Sequence, residues 1–115
     1  MNDKSISVVI PAYNAELTIK KVIQAVLDQT KTVFIKEIIV VNDGSQDDTK
    51  TIVEGLSKDS AIPIAFLTQE NQGVSVARNN GMRKATGEWI ALCDSDDLWF
   101  ENKIEEQAKA IDENE

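Results

Sequence analysis

Three carboxylates within four residues are the strongest chemical signal in the sequence. Asp94, Ser95, Asp96 and Asp97 directly follow an apolar segment that is typical of a strand. If the chain stays extended here, Asp94 and Asp96 lie on one face with their backbones about 6–7 Å apart. Like charges this close repel each other unless a cation lies beside them, and carboxylate oxygens suit Mg²⁺ or Mn²⁺. The segment predicts either a divalent-cation site or an aspartate-rich helix N-terminus without a ligand.

Two further segments combine polar side chains with turn-forming residues. Asp43 precedes a glycine, and its carboxylate could accept hydrogen bonds from a nucleotide base or ribose. In residues 11–16, Tyr13 could lie against a base and Glu16 could bind a hydroxyl or the base. Taken alone, both segments fit ordinary turn chemistry better, because Asn-Asp-Gly and Pro-Asn sequences are common in turns.

Arg78 is the candidate cation for an anionic ligand. It lies in a segment that enters a predicted helix just after Gly73, where a phosphate can bind the helix N-terminus. Its guanidinium could pair with a phosphate or with a nearby acid. The competing interpretation, which is equally good, is a structural ion pair on a helix whose Ala77 and Gly81 allow close packing on a sheet.

Composition excludes several classes of protein. The chain has 115 residues, a net charge of −8, no histidine and one cysteine. The length fits one domain, and the negative charge argues against nucleic acid as a partner. Without histidine there is no Ser-His-Asp triad or H-E-x-x-H zinc site, and one cysteine cannot form an intrachain disulfide. No apolar run reaches the ~20 residues of a membrane span, and we see no signal peptide, so we expect a cytoplasmic location.

Apolar patterning predicts the order βαβαβαβα. The predicted strands are Ser5–Ile10, Glu37–Val41, Ile62–Leu67 and Trp89–Cys93. Each is followed by a segment with helical apolar spacing, of which the clearest stripe is Ile19, Val22, Ile23, Val26 and Leu27. This alternation predicts an α/β, Rossmann-like parallel sheet of about four strands with helices on both faces.

Two local features refine the predicted boundaries. Pro11 is expected to end the first strand, and Ser45 with Asp48 resembles a loose capping box for the second helix. Ligands of parallel sheets bind beyond the carboxyl ends of the strands. We therefore expect the four loops that follow the strands to converge on one rim, which favours the site interpretation of the Asp94–Asp97 segment.

Four segments in this order resemble glycosyltransferase family 2, whose members have the A-type fold. They are VVIPAYNAE (residues 8–16), IIVVNDGSQDDT (38–49), NQGVSVARNNG (71–81) and GEWIALCDSDD (87–97). Each segment alone is weak, but the four together are specific and cover nearly the whole chain. One departure is Asn42, where the family often has aspartate.

The resemblance implies roles for individual residues. It places Asp43 at the nucleotide base, Asp94 near the ribose, and Asp96 on a Mn²⁺ or Mg²⁺ ion. The remaining residues of the expected substrate-binding set are Pro11, Tyr13, Glu16, Arg78 and Ser95. The implied reaction is inverting transfer of a sugar from a nucleoside diphosphate sugar, by default a UDP-sugar, to an acceptor hydroxyl on a glycan or lipid-linked sugar.

The resemblance also implies that the general base lies beyond residue 115, together with the acceptor-binding part. Glu101, Glu105 and Glu106 fit a solvated helix face, and none is assigned as the base. We therefore expect residues 1–115 to form a nucleotide-sugar-binding domain that binds nucleotide but transfers sugar weakly or not at all. The whole enzyme would then work at the inner face of the membrane.

Two rival hypotheses remain open. A phosphotransferase or hydrolase could use Asp94 as its nucleophile, although Pro11-Ala12 stands where such enzymes place an acid. Alternatively, the chain could be a non-catalytic interaction module. In that case Leu98-Trp99-Phe100, which would otherwise pack against another part of the protein, could pair two copies into a homodimer.

Overall fold

A computed structural model describes residues 5–113, in which strands and helices alternate along the chain. The strands are β1 (Ile6–Ala12), β2 (Ile35–Asp43), β3 (Ile64–Gln69) and β4 (Trp89–Leu92). The helices are α1 (Ile19–Leu27), α2 (Thr49–Asp59), α3 (Val74–Lys84) and α4 (Lys103–Glu113). A short 3₁₀ turn at Thr32–Phe34, which the sequence analysis did not predict, leads into β2.

The four strands form one parallel sheet in the order β3-β2-β1-β4. The two central strands, β1 and β2, are buried along almost their whole length, which explains their nearly continuous apolar sequences. Parallel strands place all their carboxyl ends on the same rim of the sheet. The predicted Rossmann-like α/β architecture is therefore confirmed.

Helices cover both faces of the sheet. On one face, side chains of α1, α2 and α4 pack with Val8 and Ile10 of β1. On the other face, Ala77 of α3 packs with Val9 of β1 and with two residues of β2. Each apolar side chain fully buried in this way contributes about 1.5–3 kcal/mol. The alternation along β1 thus builds two cores, one on each side of the sheet.

Helix α3 approaches the sheet closely because Gly81 has no side chain. A Cβ atom at this position would lie 2.4 Å from Cγ1 of Val9 and 3.1 Å from Cγ2 of Val41. The prediction that Ala77 and Gly81 permit close packing is confirmed.

The sequence predicted that Pro11 would end the first strand, but this prediction was wrong. β1 continues through Pro11, which pairs with Val41, to Ala12. Val9 accepts a hydrogen bond from the Cys93 N–H on the β4 side of β1. The backbone nitrogen of Pro11, two residues later, faces the same side, where β4 has already ended at Leu92. A missing N–H costs no ladder hydrogen bond there.

The start of α2 also differs from the prediction. Asp48 is the N-cap residue but makes no side-chain capping bond, and Ser45 lies outside the helix. Instead, Asp47 Oδ1 accepts hydrogen bonds from the Thr49 N–H (3.0 Å) and the Thr49 hydroxyl (2.6 Å). The capping-box interpretation was wrong because the helix begins at Thr49, which places Asp47 within reach of the Thr49 N–H.

Among residues 5–113, no helix combines the length and the apolar character that crossing a membrane requires.

Candidate functional site

The four loops at the carboxyl ends of the strands surround one cavity of about 670 Å³. Asp43 and Asp96 both line it, so the distant loops converge as predicted. Seven of the eight predicted site residues are in the lining, and Glu16 is not. Those seven are Pro11, Tyr13, Asp43, Arg78, Asp94, Ser95 and Asp96.

Asp43 is a buried carboxylate at the last position of β2, with only 5% of its surface exposed. Its Oδ1 accepts hydrogen bonds from Gln69 Nε2 and the Gln72 N–H, both at 2.8 Å. Its Oδ2 accepts one from the Gly73 N–H at 3.0 Å. Burial alone would raise the pKa of Asp43, but these hydrogen bonds outweigh it and hold the pKa below its ordinary value. Asp43 is therefore ionised at neutral pH.

The bonds to Asp43 leave part of its acceptor capacity free. Oδ1 accepts two hydrogen bonds and Oδ2 only one, so Oδ2 retains the greater capacity to accept another. Gly73 adopts φ +102°, a conformation that favours glycine, and this lets its N–H reach the carboxylate. Asp43 thus fixes the β3–α3 loop and retains acceptor capacity beside the cavity.

Tyr13 lies at the mouth of the cavity with 51% of its surface exposed. The loop that carries it is tied to the β2–α2 loop by reciprocal bonds: the Asn14 N–H donates to Ser45 Oγ, and the Gln46 N–H donates to Asn14 Oδ1, each at 2.9 Å. A buried bond from the Ala15 N–H to Thr49 Oγ1 adds to them. These contacts hold the loop that carries Tyr13, whose exposed ring could lie against a base.

Glu16 points away from the cavity and into the same loop–loop contact. Its Oε2 accepts a hydrogen bond from the Asp48 N–H at 3.2 Å, and its own N–H donates to Asp47 Oδ2 at 3.1 Å. The structure thus places Glu16 in a bridge between two loops and not with the other predicted site residues.

Asp47 has a structural role that the sequence did not predict. Burial would raise its pKa, but hydrogen bonds from the Thr49 hydroxyl, the Thr49 N–H and the Glu16 N–H lower it below the ordinary value. Since Asp47 joins the start of α2 to the β1–α1 loop, it supports the wall that carries Tyr13. Its position two residues before a helix-starting threonine is the signal that could have revealed it.

Residues Asp94 to Asp97 form a turn and not the extended segment assumed above. The Asp97 N–H donates to the Asp94 carbonyl at 3.1 Å. α4 begins only at Lys103, so the helix N-terminus interpretation of these acids was wrong. The turn brings one carboxylate oxygen each from Asp94, Asp96 and Asp97 within 4.8 Å of one another. Three hard oxygen donors this close fit a divalent cation such as Mg²⁺ or Mn²⁺.

Arg78 pairs with an acid, which both predicted interpretations of this residue allowed. Its Nη2 lies 2.9 Å from Asp94 Oδ1, and both side chains are partly exposed, at 35% and 46%. Arg78 Nε is buried without a hydrogen-bond partner. Both residues line the cavity, so the guanidinium lies where a ligand phosphate could reach it.

A further contact and a buried thiol lie at the rim. The Thr18 hydroxyl donates to the Ser95 carbonyl at 2.7 Å and so ties the start of α1 to the acidic turn. Burial, followed by the charges of Asp97 and Asp94, raises the pKa of Cys93 to about 12. The Cys93 thiol therefore stays protonated at neutral pH and does not provide a thiolate nucleophile.

The Leu98–Phe100 segment is only partly the exposed apolar patch that the sequence suggested. Leu98 and Phe100 are 64% and 84% exposed, but Trp99 packs against the larger core. Lys103 Nζ lies 5.4 Å from the centre of the Trp99 ring. A Trp99→Ala variant would therefore disturb core packing.

Comparisons with known proteins agree with this geometry. The family model for glycosyl transferase family 2 matches residues 7–115. The Escherichia coli protein named UDP-Glc:alpha-D-GlcNAc-diphosphoundecaprenol beta-1,3-glucosyltransferase WfgD is 41% identical over 115 residues, which cover 99% of this chain and 44% of that protein.

Solved structures with the same fold include the following two. Staphylococcus aureus TarS in complex with UDP has a TM-score of 0.84 and 29% identity, covering 95% of this chain and 32% of that one. Pyrobaculum calidifontis mannosyltransferase PcManGT in complex with GDP-Man and Mn²⁺ has a TM-score of 0.76 and 27% identity, covering 82% of this chain and 28% of that one. The chain thus spans less than half the length of each of these proteins.

Proposed function

Because this chain belongs to glycosyl transferase family 2, we propose that its cavity binds a nucleoside diphosphate sugar, with UDP as the nucleotide, and a divalent cation. The observation that carries the proposal is the convergence of Asp43, Arg78 and the Asp94–Asp97 turn on one cavity. Asp43 offers a hydrogen-bond acceptor for the base, and Arg78 offers a positive charge for the phosphates. The turn offers oxygen ligands for the metal ion that accompanies a nucleoside diphosphate.

Asp43 is proposed to bind the base. Its carboxylate is ionised and can only accept hydrogen bonds, so it complements a base edge that presents an N–H. A hydrogen bond to a charged acceptor contributes about 1.5–3 kcal/mol. Tyr13 is proposed to pack against the face of the same base, since its ring is exposed at the cavity mouth.

The acidic turn is proposed to hold the cation, with Asp96 as its principal ligand. Asp94 Oδ1 is already engaged by Arg78, which leaves Asp96 and Asp97 as the acids without a charged partner in the described structure. When bound, a Mn²⁺ or Mg²⁺ ion neutralises negative charge on a diphosphate leaving group. Asp94 and Ser95, which also line the cavity, are proposed to contact the ribose.

Arg78 is proposed to hold the diphosphate in orientation. Its guanidinium is always charged and presents donors in a planar fork that matches phosphate oxygens. Pairing with Asp94 fixes the position of the guanidinium before any ligand arrives. Since the chain carries a net charge of −8, this local cation reduces repulsion of an anionic donor.

Sugar transfer itself is a proposal about the whole protein. We propose inverting, metal-dependent transfer to an acceptor hydroxyl on a glycan or lipid-linked sugar, assisted by a general base outside residues 1–115. WfgD is named for a UDP-Glc donor and a diphosphoundecaprenol-linked acceptor, and TarS is solved with UDP, which supports this choice. The cytoplasmic location is likewise part of the proposal.

Calorimetric titration of UDP into the chain, in Mn²⁺ and then in EDTA, tests the nucleotide site. We expect binding in both conditions and about tenfold higher affinity with Mn²⁺, equivalent to about 1.4 kcal/mol. CMP serves as a matched control, because it lacks the second phosphate and the imide N–H of uracil. Equal affinities for UDP in Mn²⁺ and in EDTA would remove the acidic turn from its proposed role.

The hydrolase hypothesis makes a different prediction. Asp94 as a nucleophile would give phosphate-monoester hydrolysis that is lost in Asp94→Asn. The bond from Arg78 to Asp94 Oδ1 argues against this role, since an ion pair lowers the nucleophilicity of a carboxylate. We expect no phosphatase activity in the wild-type chain.

A further inference from the structure

Gln69 is the one side chain among the three donors to the Asp43 carboxylate; the other two are backbone N–H groups. Gln69 is the last residue of β3 and pairs in register with Asp43, the last residue of β2. Strand pairing therefore sets the two side chains next to each other, and Gln69 Nε2 lies 2.8 Å from Asp43 Oδ1. This contact comes from the edge strand and not from the cavity loops.

Asn80 fixes which end of the Gln69 amide faces Asp43. From α3, Asn80 Nδ2 donates to Gln69 Oε1 at 2.5 Å. The amide oxygen of Gln69 is thereby occupied, so its NH₂ group must point to the carboxylate. Arg83 Nη1 in turn donates to Asn80 Oδ1 at 3.3 Å, which orients the Asn80 amide in the same sense.

The four residues form a directed chain of donors, from Arg83 through Asn80 and Gln69 to Asp43. Each amide dipole has its positive end towards the carboxylate, and hydrogen bonds aligned in this way strengthen one another. Flipping either amide would set an oxygen against an oxygen.

We infer that Gln69 and Asn80 are positioning residues for nucleotide binding, because they hold the Asp43 carboxylate in the orientation that leaves its free Oδ2 acceptor towards the cavity. This inference rests on the proposed function, in which Asp43 binds the base. Gln69 and Asn80 do not line the main cavity. They line a separate groove of about 480 Å³, so they act only through Asp43.

The test compares two Gln→Met variants of the same 115-residue chain. Gln69→Met keeps the side-chain volume, which limits entry of water from the groove, but removes the donor to Asp43. Gln72→Met is the matched control, because Gln72 reaches Asp43 through its backbone N–H, which the substitution preserves. Carboxyl ¹³C NMR reports the Asp43 pKa without nucleotide, and calorimetry reports UDP affinity.

We expect Gln69→Met to raise the Asp43 pKa, because the carboxylate loses a donor, and to weaken UDP binding about 5–10-fold. Gln72→Met should leave the Asp43 pKa at its wild-type value. The other ionisable or charged groups on the cavity, Tyr13, Arg78, Asp94 and Asp96, are the same in all variants. Asn80→Ala, which leaves the Gln69 amide free to flip, should change both quantities in the same direction by a smaller amount.

An unchanged Asp43 pKa in Gln69→Met would overturn the inference, and so would equal shifts in Gln69→Met and Gln72→Met. If Gln69→Met does not fold, the half-buried Asn80→Ala variant decides by the same criterion. If the wild-type protein binds no UDP but Gln69→Met still raises the Asp43 pKa, the nucleotide site is refuted and the series of hydrogen bonds from Arg83 to Asp43 is supported. The two failures are therefore distinguishable.

Discussion

Strand β2 carries one acid near its start and another at its end, and the two have similar local environments. Glu37 Oε2 accepts hydrogen bonds from Ser7 Oγ (2.6 Å), the Thr86 N–H (2.8 Å) and Thr86 Oγ1 (2.9 Å). Burial would raise the pKa of Glu37, but these bonds and the charge of Lys36 lower it. Asp43 also accepts three hydrogen bonds and also has a lowered pKa.

The difference lies in what else reaches each end of the sheet. At the amino end, the Gly87 N–H donates to Ser7 Oγ, so the network around Glu37 joins β1, β2 and the segment before β4. At the carboxyl end, Asp43 shares a cavity with Arg78 and the acidic turn. A lowered carboxylate pKa therefore does not by itself identify a site. Convergence of loops with complementary chemistry does.

Asp43→Asn should have the largest effect on ligand binding. The substitution removes the charged acceptor and places an NH₂ group against N–H donors, so UDP affinity should fall about 100-fold. Calorimetry at neutral pH measures the change. The amino end supplies the control, because Glu37→Gln should bind UDP as the wild-type chain does. Wild-type affinity in Asp43→Asn would remove the functional difference between the two acids.

Asp96→Asn should abolish the effect of the cation while sparing the base contact. We expect UDP affinity in EDTA to stay close to the wild-type value, and the roughly tenfold gain with Mn²⁺ to disappear. Titrations with and without Mn²⁺ check this. Asp59→Asn, an exposed acid in the last turn of α2, is a charge-matched control that should retain the gain. A full Mn²⁺ response in Asp96→Asn would contradict the assignment.

Glu37→Gln should lower stability without changing binding. Replacing the carboxylate weakens three hydrogen bonds that link separate elements, so the free energy of unfolding should fall by about 1–2 kcal/mol. Urea denaturation measures it, with Glu54→Gln on the exposed face of α2 as a control. Loss of UDP affinity in a folded Glu37→Gln chain would show that the amino end contributes to the site.

Acid should destabilise the wild-type chain more than it destabilises the Glu37→Gln variant, and this difference is the smallest predicted effect. The pKa of Glu37 is lower in the folded chain than its ordinary value of 4.5, so the unfolded chain binds more protons in acid. Its contribution to stability is complete above about pH 4.5 and is lost as the pH falls through the lower folded-state pKa. Thermal unfolding from about pH 6 to pH 3 should show a shallower fall for Glu37→Gln.

The neighbourhood of the site could be predicted from sequence because it follows from topology. A βαβ alternation implies parallel strands, and parallel strands bring their carboxyl ends to one rim. Asp43 and Asp96 share a cavity for this reason, although 52 positions separate them in the chain.

Side-chain direction and local turn geometry could not be predicted in the same way. The rule that ligands bind at strand ends placed Glu16 near the rim, but it did not predict that the side chain turns towards the Asp48 N–H. Extended geometry was assumed for Asp94–Asp97, whereas the chain turns there. The Gln69–Asn80 contact depends on the register of β3 and on the rotation of α3 over the sheet, which apolar periodicity does not specify.

The central claim is that a nucleoside diphosphate and a cation occupy the cavity together. A crystal structure of the chain grown with UDP and Mn²⁺ tests it most directly, because anomalous scattering locates the metal independently of the nucleotide. We predict a Mn²⁺ peak against the Asp96 carboxylate, uracil beside Asp43, and the diphosphate between Arg78 and the metal. Manganese bound away from the acidic turn, or UDP with its base far from Asp43, would contradict the account.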